Sequence, residues 1–484
     1  MFLPFTNYRL IHSTFKYYSQ MATSSNNKIL IPPISVRGMV KLEKEKFRKL
    51  VQFPSIKIPK KLVNRILGLS FYNNYRLECL PRLKTFRNSE SDDFKRLLFD
   101  PDKLSEAKEE QKEEIIKQIE GQINSKVEFE NFSYQMEYDD WNTKNCLKAI
   151  LPEDIECSGF EQCGHIIHLN LRGKLLSYRF VIGQILLDKI PRARTVINKL
   201  DILTNDYRIM DVELLAGEAD YATELMENGI RYKLDYSKVF WNSRLITVHE
   251  KTVAQFDSNS VVFDVFAGIG PFILPAVKTK NVIKAYANDL NPDAIDFLKK
   301  NAKLNKANRI EGFVLDGAKF IQKIIPEKII LHCKEWEKDE ELDKSTKYTF
   351  HVVMNLPGYS AEHLPYFNDF LGKFEEIRPL FENNFCSILV HCHFFVKADD
   401  DLPLSWYDKE ARRIICEKMG IEDLEIKELF FNRKVSGRKN MYCARICLPV
   451  EYICKTNEKI NGSFLEKFVE DDEEIFQIKR KKIA

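Results

Sequence analysis

No stretch of the 484-residue sequence approaches the roughly 20 consecutive apolar residues that a helix needs to cross a bilayer, so no helical membrane span and no membrane partner is expected. An excess of one charge is also missing. The 74 basic and 71 acidic residues leave a net charge of +3, which permits a nucleic-acid partner only through local segregation of charge. A disulfide framework is absent: eleven cysteines lie scattered through a long chain, the pattern of reduced thiols in a cytosol, nucleus or matrix. The nearest approach to a metal centre is Cys386 with His391-Cys392-His393. These residues fall in a strand pattern with both histidines on one face, and no second Cys/His cluster accompanies them, so no metal is assigned. Acid is missing from residues 1–20, which carry Arg9, Lys16 and several hydroxyl side chains, as a mitochondrial presequence does. Met21 offers a second start without that segment, so mitochondrial matrix, cytoplasm and nucleus are all expected addresses.

A chain of this length holds two or three domains, and its 44% hydrophobic content suffices for a core in each. Residues 1–24 read as targeting or disordered sequence, 31–150 as a first domain, 158–244 as a basic α+β domain, 245–450 as a nucleotide-binding domain and 460–484 as a charged tail. Within the first domain, Pro54 and Pro59 punctuate the chain, and residues 104–123 form one exposed amphipathic helix. In the second, Arg172, Lys174, Arg179, Lys189, Arg192, Arg194 and Lys199 accumulate, and a basic surface beside a small-molecule site points to a polyanionic substrate. Between Ile325 and Tyr348, the charged run 334–341 marks a surface excursion.

The organising stretch is Val261-Val-Phe-Asp-Val-Phe-Ala-Gly-Ile-Gly-Pro-Phe272, a buried-strand run that stops at Gly268-Ile-Gly270 and passes into a helix. A dinucleotide fingerprint needs a third glycine three residues after Gly270, and that position is Ile273. The loop therefore suits a nucleoside without a pyrophosphate, of which S-adenosylmethionine is the commonest. Asp289 ends a second strand (285–289), where an acid accepts from ribose hydroxyls; Asp316 ends a third (312–316), with Gly317 allowing close approach to adenine. A fourth strand (350–354) leads into Asn355-Leu-Pro-Gly-Tyr359, whose amide can both donate to and accept from a nitrogen heterocycle. Segments 387–395 and 441–448 complete a doubly wound α/β sheet.

Taken together, Phe-Ala-Gly-Ile-Gly-Pro-Phe, Asn288-Asp-Leu-Asn-Pro292, Leu315-Asp-Gly317 and Asn355-Leu-Pro357 resemble the archaeal and eukaryotic tRNA guanine-37 N1-methyltransferases. Upstream, Gly164 to Arg172, Ile182-Gly-Gln184, Asn198-Lys199, Tyr207-Arg208 and Trp241-Asn-Ser-Arg-Leu245 extend the likeness to roughly 31–450. The resemblance implies a Rossmann-like class I methyltransferase domain with α+β tRNA-binding domains upstream. It further implies S-adenosyl-L-methionine as cofactor, a tRNA carrying G37 as partner, and a monomer. By the same resemblance His249, Gly268, Asp289, Leu290, Asp316, Gly317 and Asn355 line the cofactor site, and 1-methylguanosine beside the anticodon is the product.

Chemistry sets its own demands. Guanine N1 is a poor nucleophile until its proton leaves and charge collects on O6, so the protein must align the atoms, neutralise O6 and route a proton. Arg208 is the candidate for O6 and Asn355 for the N1 region, with the base extruded from its stack. Relatives usually read Thr-Glu-His where this chain reads Thr247-Val248-His249, so the expected base is missing, and Glu250 substitutes only if the helix begins late. Three other readings are open: the wybutosine-pathway aminocarboxypropyl transferase, which tends to have an aromatic where Pro271 stands; methylation of an exocyclic amine; and tRNA binding without catalysis.

Overall fold

The computed structural model describes residues 29–455 except 78–79, 81–82, 90, 92, 158, 201–210, 339–346, 400–401 and 437. The targeting segment, the tail 460–484, most of 334–346 beyond Lys338, and Arg208 with its neighbour Tyr207 lie outside the described residues. The chain divides into two compact units, residues 1–199 with 213–220, and residues 200–212 with 221–484.

In the first unit, strands Lys49–Pro59 (β1), Phe86–Asn88 (β2), Phe94–Leu98 (β3) and Glu130–Met136 (β4) form a sheet in the order β2-β3-β1-β4. Pro54 does not interrupt β1 as the sequence led us to expect. It sits in register with Asn131 of β4, and its carbonyl still accepts from Phe99 N at 2.9 Å. The helix expected over 104–123 is two pieces, Pro101–Ser105 and Glu109–Ile123; the first is capped by Asp100, and the second buries Ile115 and Ile119. Strands Phe160–Cys163 (β5), Ile166–Leu169 (β6), Thr195–Lys199 (β7) and Val212–Gly217 (β8) form the other sheet of this unit. One apolar core joins Phe47, Phe53 and Trp141 to Ile167, Ile182 and Leu215 across the linker expected near 151. Gly183 makes that packing possible, because a Cβ there would lie 2.6 Å from the Cβ of Leu215.

The second unit opens with a hairpin, Ala222–Glu227 (β9) and Ile230–Asp235 (β10), joined by Asn228-Gly229 with both residues in the left-handed region. The hairpin belongs with the nucleotide-binding fold and not, as the expected boundary near 244 had it, with the basic domain. Asn301 and Asn305 of helix Pro292–Asn305 clamp its backbone: Asn301 Oδ1 accepts from Lys233 N at 2.7 Å and Asn305 Oδ1 from Arg231 N at 2.9 Å.

The main sheet follows. Its strands are Ser260–Asp264 (β11), Lys284–Asn288 (β12), Ile310–Phe313 (β13), Tyr348–Met354 (β14), Cys386–Lys397 (β15), Ile426–Ser436 (β16) and Lys439–Cys447 (β17), in the order β13-β12-β11-β14-β15-β17-β16. Neighbours are parallel from β13 to β15, and β17 runs antiparallel between β15 and β16. This order reverses direction beside β11, so the crevice at the carboxyl ends of β11, β12 and β14 is the place where such sheets bind ligands. Burial on both faces explains the uninterrupted Val-Val-Phe of β11, all fully buried. The surface excursion expected after Ile325 is corrected in its first half. Helix Ile325–Lys338 turns Ile325, Ile329, Cys333 and Trp336 into the core, at a spacing that the charged residues between them obscured.

Candidate active site

Three strand ends meet at the carboxyl edge of the sheet, and Asn288, fully buried, ties them together. Its Nδ2 donates to Val265 O and Leu315 O, both at 3.0 Å, while its Oδ1 accepts from Leu315 N at 3.0 Å. One side chain thus fixes the loops after β11 and β13 to the end of β12. Sequence reasoning quoted Asn288 and gave it no task; an amide at the end of a buried strand, with no apolar role to play, was the available signal.

Asp289 follows directly, one residue past the end of β12. Its Oδ2 accepts from Gly268 N at 2.8 Å and its Oδ1 from Asn291 N at 2.9 Å, so the carboxylate is bolted to the glycine loop on one side and to the helix start on the other. Burial pushes its pKa above the usual carboxylate range, and the hydrogen bonds from Asn291 and Gly268 oppose that rise. Each oxygen keeps a second lone pair with which to accept a ribose hydroxyl. Gly268 and Gly270 adopt φ of 52° and 97°, which a side chain would resist, and Leu290 beside Asp289 is exposed. Asp264 is a different carboxylate: wholly buried at the end of β11, with Oδ2 lacking a hydrogen bond, it is pushed well above its ordinary pKa by burial. It lies within the frame, under the loop that its Oδ1 holds by accepting from Phe266 N.

Asp316 stands three residues past β13 and not at its end, because it is the N-cap of the short turn Gly317–Lys319, accepting from Ala318 N at 2.9 Å. It is exposed, and Gly317 is buried against Phe266, whose ring a Cβ would approach to 2.8 Å. Asn355 emerges from β14. Ser360 holds its loop, accepting from Leu356 N at 2.9 Å and donating to Met354 O at 3.0 Å, and Phe395 N of β15 donates to Pro357 O at 3.0 Å. Within this frame the buried Oδ1 of Asn355 has no hydrogen-bond partner. An orphaned acceptor in a braced loop is a group waiting for a donor from a ligand.

His249 comes from helix Ile246–Val253, is 4% exposed, and has its Nδ1 2.7 Å from Glu227 Oε1. The helix begins at Ile246, before Val248, so the late start that would let Glu250 substitute is not seen. Val248 is buried, and Glu250, exposed and about 200° further round the axis, cannot occupy the same point. His391 and His393 pack as expected of core side chains: His391 Nε2 lies 2.9 Å from His351 Nδ1, and His393 Nε2 lies 3.3 Å from Thr252 Oγ1.

Residues 223–350 match the TRM5/TYW2 methyltransferase domain, and residues 143–220 match the TYW2 N-terminal domain. The chain is 39% identical over 442 residues to the tRNA (guanine(37)-N(1))-methyltransferase of Caenorhabditis elegans, an alignment covering 89% of this chain and 92% of that protein. The chain belongs to the TRM5/TYW2 methyltransferase family. Other relatives with the same enzyme name are those of Drosophila melanogaster, at 35% identity with 89% of this chain and 90% of that protein covered, and of Homo sapiens, at 31% with 89% and 80% covered. Among solved structures, aTrm5 in complex with tRNALeu covers 82% of this chain and 100% of its own at 20% identity and a TM-score of 0.52. Trm5b from Pyrococcus abyssi covers 81% and 98% at 20% identity and a TM-score of 0.50. At these identities the TRM5 structures establish a shared fold, the Rossmann-like class I methyltransferase fold.

The residues at the sheet edge fit S-adenosylmethionine, the cofactor of the TRM5/TYW2 methyltransferases. Asp289 presents free lone pairs for a ribose, and the orphaned Asn355 Oδ1 can accept from a donor on the ligand. Replacing Asp289 by alanine should weaken cofactor binding by about 1.5 to 3 kcal/mol, the scale of hydrogen bonds to a charged group. Because Asp289 also anchors Gly268, Asp289→Asn should lose less. Calorimetry with the cofactor measures both, and an affinity unchanged in Asp289→Ala removes this residue from the site.

Proposed function

We propose that this protein transfers the methyl group of S-adenosyl-L-methionine to N1 of guanosine 37 in tRNA, beside the anticodon. The observation that carries the reading is 39% identity to a tRNA (guanine(37)-N(1))-methyltransferase over 89% of the chain. The conjunction of glycine loop, Asp289, Asp316 and Asn355 at one sheet edge agrees with it. The cofactor supplies a methyl group on a sulfonium, which is already an activated leaving group. The protein's task is therefore to align N1, stabilise charge on O6 and accept a proton. We assign O6 to Arg208 and the N1 region to Asn355, whose unpartnered Oδ1 can accept from the base edge while its amide donates. Methyl transfer to a tRNA transcript with guanosine at position 37, against the same transcript with adenosine there, tests the function. Equal labelling of both would overturn the N1-guanine assignment.

The proton is proposed to leave through water. Val248 occupies the position of the family's glutamate, and the helical course from Ile246 turns Glu250 away from it. Glu250→Gln should then change the single-turnover rate by less than about 10-fold, where loss of a positioned base costs roughly 10²- to 10⁴-fold. Val248→Glu should raise the rate near neutral pH. A collapse of the rate in Glu250→Gln, with tRNA and cofactor still bound, would make Glu250 the base.

We further propose that the enzyme acts as a monomer and reaches the mitochondrial matrix as well as cytoplasm and nucleus. The acid-free, basic composition of residues 1–20 and the second methionine at Met21 support the two addresses. A fluorescent protein fused to residues 1–20 should enter mitochondria, and one that stays cytosolic removes the matrix form.

A further inference from the structure

Glu227 stands where the fold asks for an apolar side chain. Thr223, Leu225 and Glu227 share the inward face of β9, and Glu227 is 6% exposed. A buried carboxylate is costly unless it is paired, and its partner is the equally buried His249, 2.7 Å away. A well-packed apolar pair would hold hairpin and helix together at least as firmly, so stability alone gives no reason for these two residues.

Their surroundings give one. Glu227 precedes the Asn228-Gly229 turn, and the hairpin is clamped by Asn301 and Asn305 to the helix that Asp289 and Asn291 open. The carboxylate is thus set at a fixed place relative to the ribose-binding strand end. The imidazole of His249 meets the ring of Phe272 edge-on at 5.0 Å, and Phe272 in turn lies 5.9 Å from the ring of His393 on β15. One helical turn further on, Thr252 contacts His393. His249 therefore packs on the end of the glycine loop, beside side chains that reach His393 of β15. Asp289 and His249 thus both border the glycine loop, Asp289 through Gly268 and His249 through Phe272. Glu227 and His249 also line a cleft of about 260 Å³ that reaches Pro271 of the same loop.

We propose that Glu227 is a positioning residue: by engaging Nδ1 of His249 it fixes the ring so that Nε2 receives the zwitterionic amino-acid end of the cofactor. The inference rests on the cofactor reading above and adds the chemical part of the ligand that this corner recognises. Carboxylate on one ring nitrogen and ligand on the other is the usual way in which a second side chain orients an imidazole.

The test is calorimetry with two ligands, S-adenosylhomocysteine, which has the amino-acid end, and 5′-methylthioadenosine, which lacks it. In Glu227→Gln and in His249→Ala, the Kd for S-adenosylhomocysteine should rise by about 10-fold or more, the scale of a hydrogen bond to a charged group. The Kd for 5′-methylthioadenosine should stay within about twofold, well short of that loss. A merely structural role would lower both affinities together, and that result, or no change in either, overturns the proposal. A loss in His249→Ala without one in Glu227→Gln removes Glu227 from the positioning role. If the unmodified protein binds 5′-methylthioadenosine and not S-adenosylhomocysteine, the amino-acid subsite is wrong; if it binds neither, the cofactor reading itself falls. Glu227→Gln conserves volume, and its melting temperature reports whether the fold is intact.

Discussion

Arg208→Ala should lower the single-turnover methylation rate by about 10²-fold or more while leaving cofactor affinity intact. The expectation comes from the reaction, since deprotonating N1 places negative charge on O6, and removing one fixed donor from a developing oxyanion costs about 10²- to 10³-fold. Among the described residues assigned to the sheet edge, none carries a positive charge. Asp264, Asp289 and Asp316 are acids, and Asn355 offers only an amide. Arg208 is the cation that the resemblance to the family brings forward. Single-turnover assays at saturating tRNA separate the possibilities. A normal rate with weakened tRNA affinity would make Arg208 a phosphate contact.

Much of this arrangement was legible in the sequence because the parallel sheet is buried on both faces. Runs such as Val261-Val-Phe and Val352-Val-Met354 can be little else, and the ligand residues follow such runs at fixed places. The places of the glycine loop, Asp289 and Asn355 just past strand ends were legible in that way. What escaped notice had its cause in tertiary contacts. Asn288 and Glu227 act by hydrogen bonds to atoms distant in the chain, and a single sequence does not show those partners. Strand β16 reads as Ile426-Lys-Glu-Leu-Phe-Phe-Asn-Arg-Lys-Val-Ser, with only its first residue buried, and its partly exposed edge position gave too weak an apolar pattern to recognise. The core helix at Ile325–Lys338 was hidden by its charged outer face. The boundary drawn near 244 failed because Asn228-Gly229, a strong hairpin signal, was passed over; the hairpin it makes is bonded to Asn301 and Asn305 of the catalytic unit.

Acidification should destabilise the catalytic unit well before its exposed carboxylates titrate, and the cause is a group of neutral histidines beneath the site. His351, His391 and His393 are all at most 3% exposed. Burial holds His351 down at about 4 and His393 at about 3, and holds His391 well below its ordinary value, with Arg445 and the neighbouring imidazoles adding to the effect on His391. Each is bonded as a neutral ring, His351 to His391 and His393 to Thr252. In the unfolded chain these residues take up protons below about pH 6.5, whereas in the fold they do not, so the unfolded state binds more protons and stability falls as pH falls. The loss begins near pH 6.5, proceeds by up to about 1.4 kcal/mol per pH unit for each histidine, and is complete only below the folded values near 4 and 3. Asp264 and Asp289 work in the opposite sense. Their folded pKa values are raised, so the fold gains relative stability as they protonate on acidification, which moderates the slope without reversing three histidines. Denaturant unfolding of the transition that the cofactor shifts, measured at pH 7 and pH 5, should show a loss of at least about 2 kcal/mol. Replacing the bonded pair together, His351→Gln with His391→Gln, should flatten that dependence even where it lowers stability at pH 7. An unchanged slope in the double variant would mean that the acid sensitivity arises elsewhere in the unit.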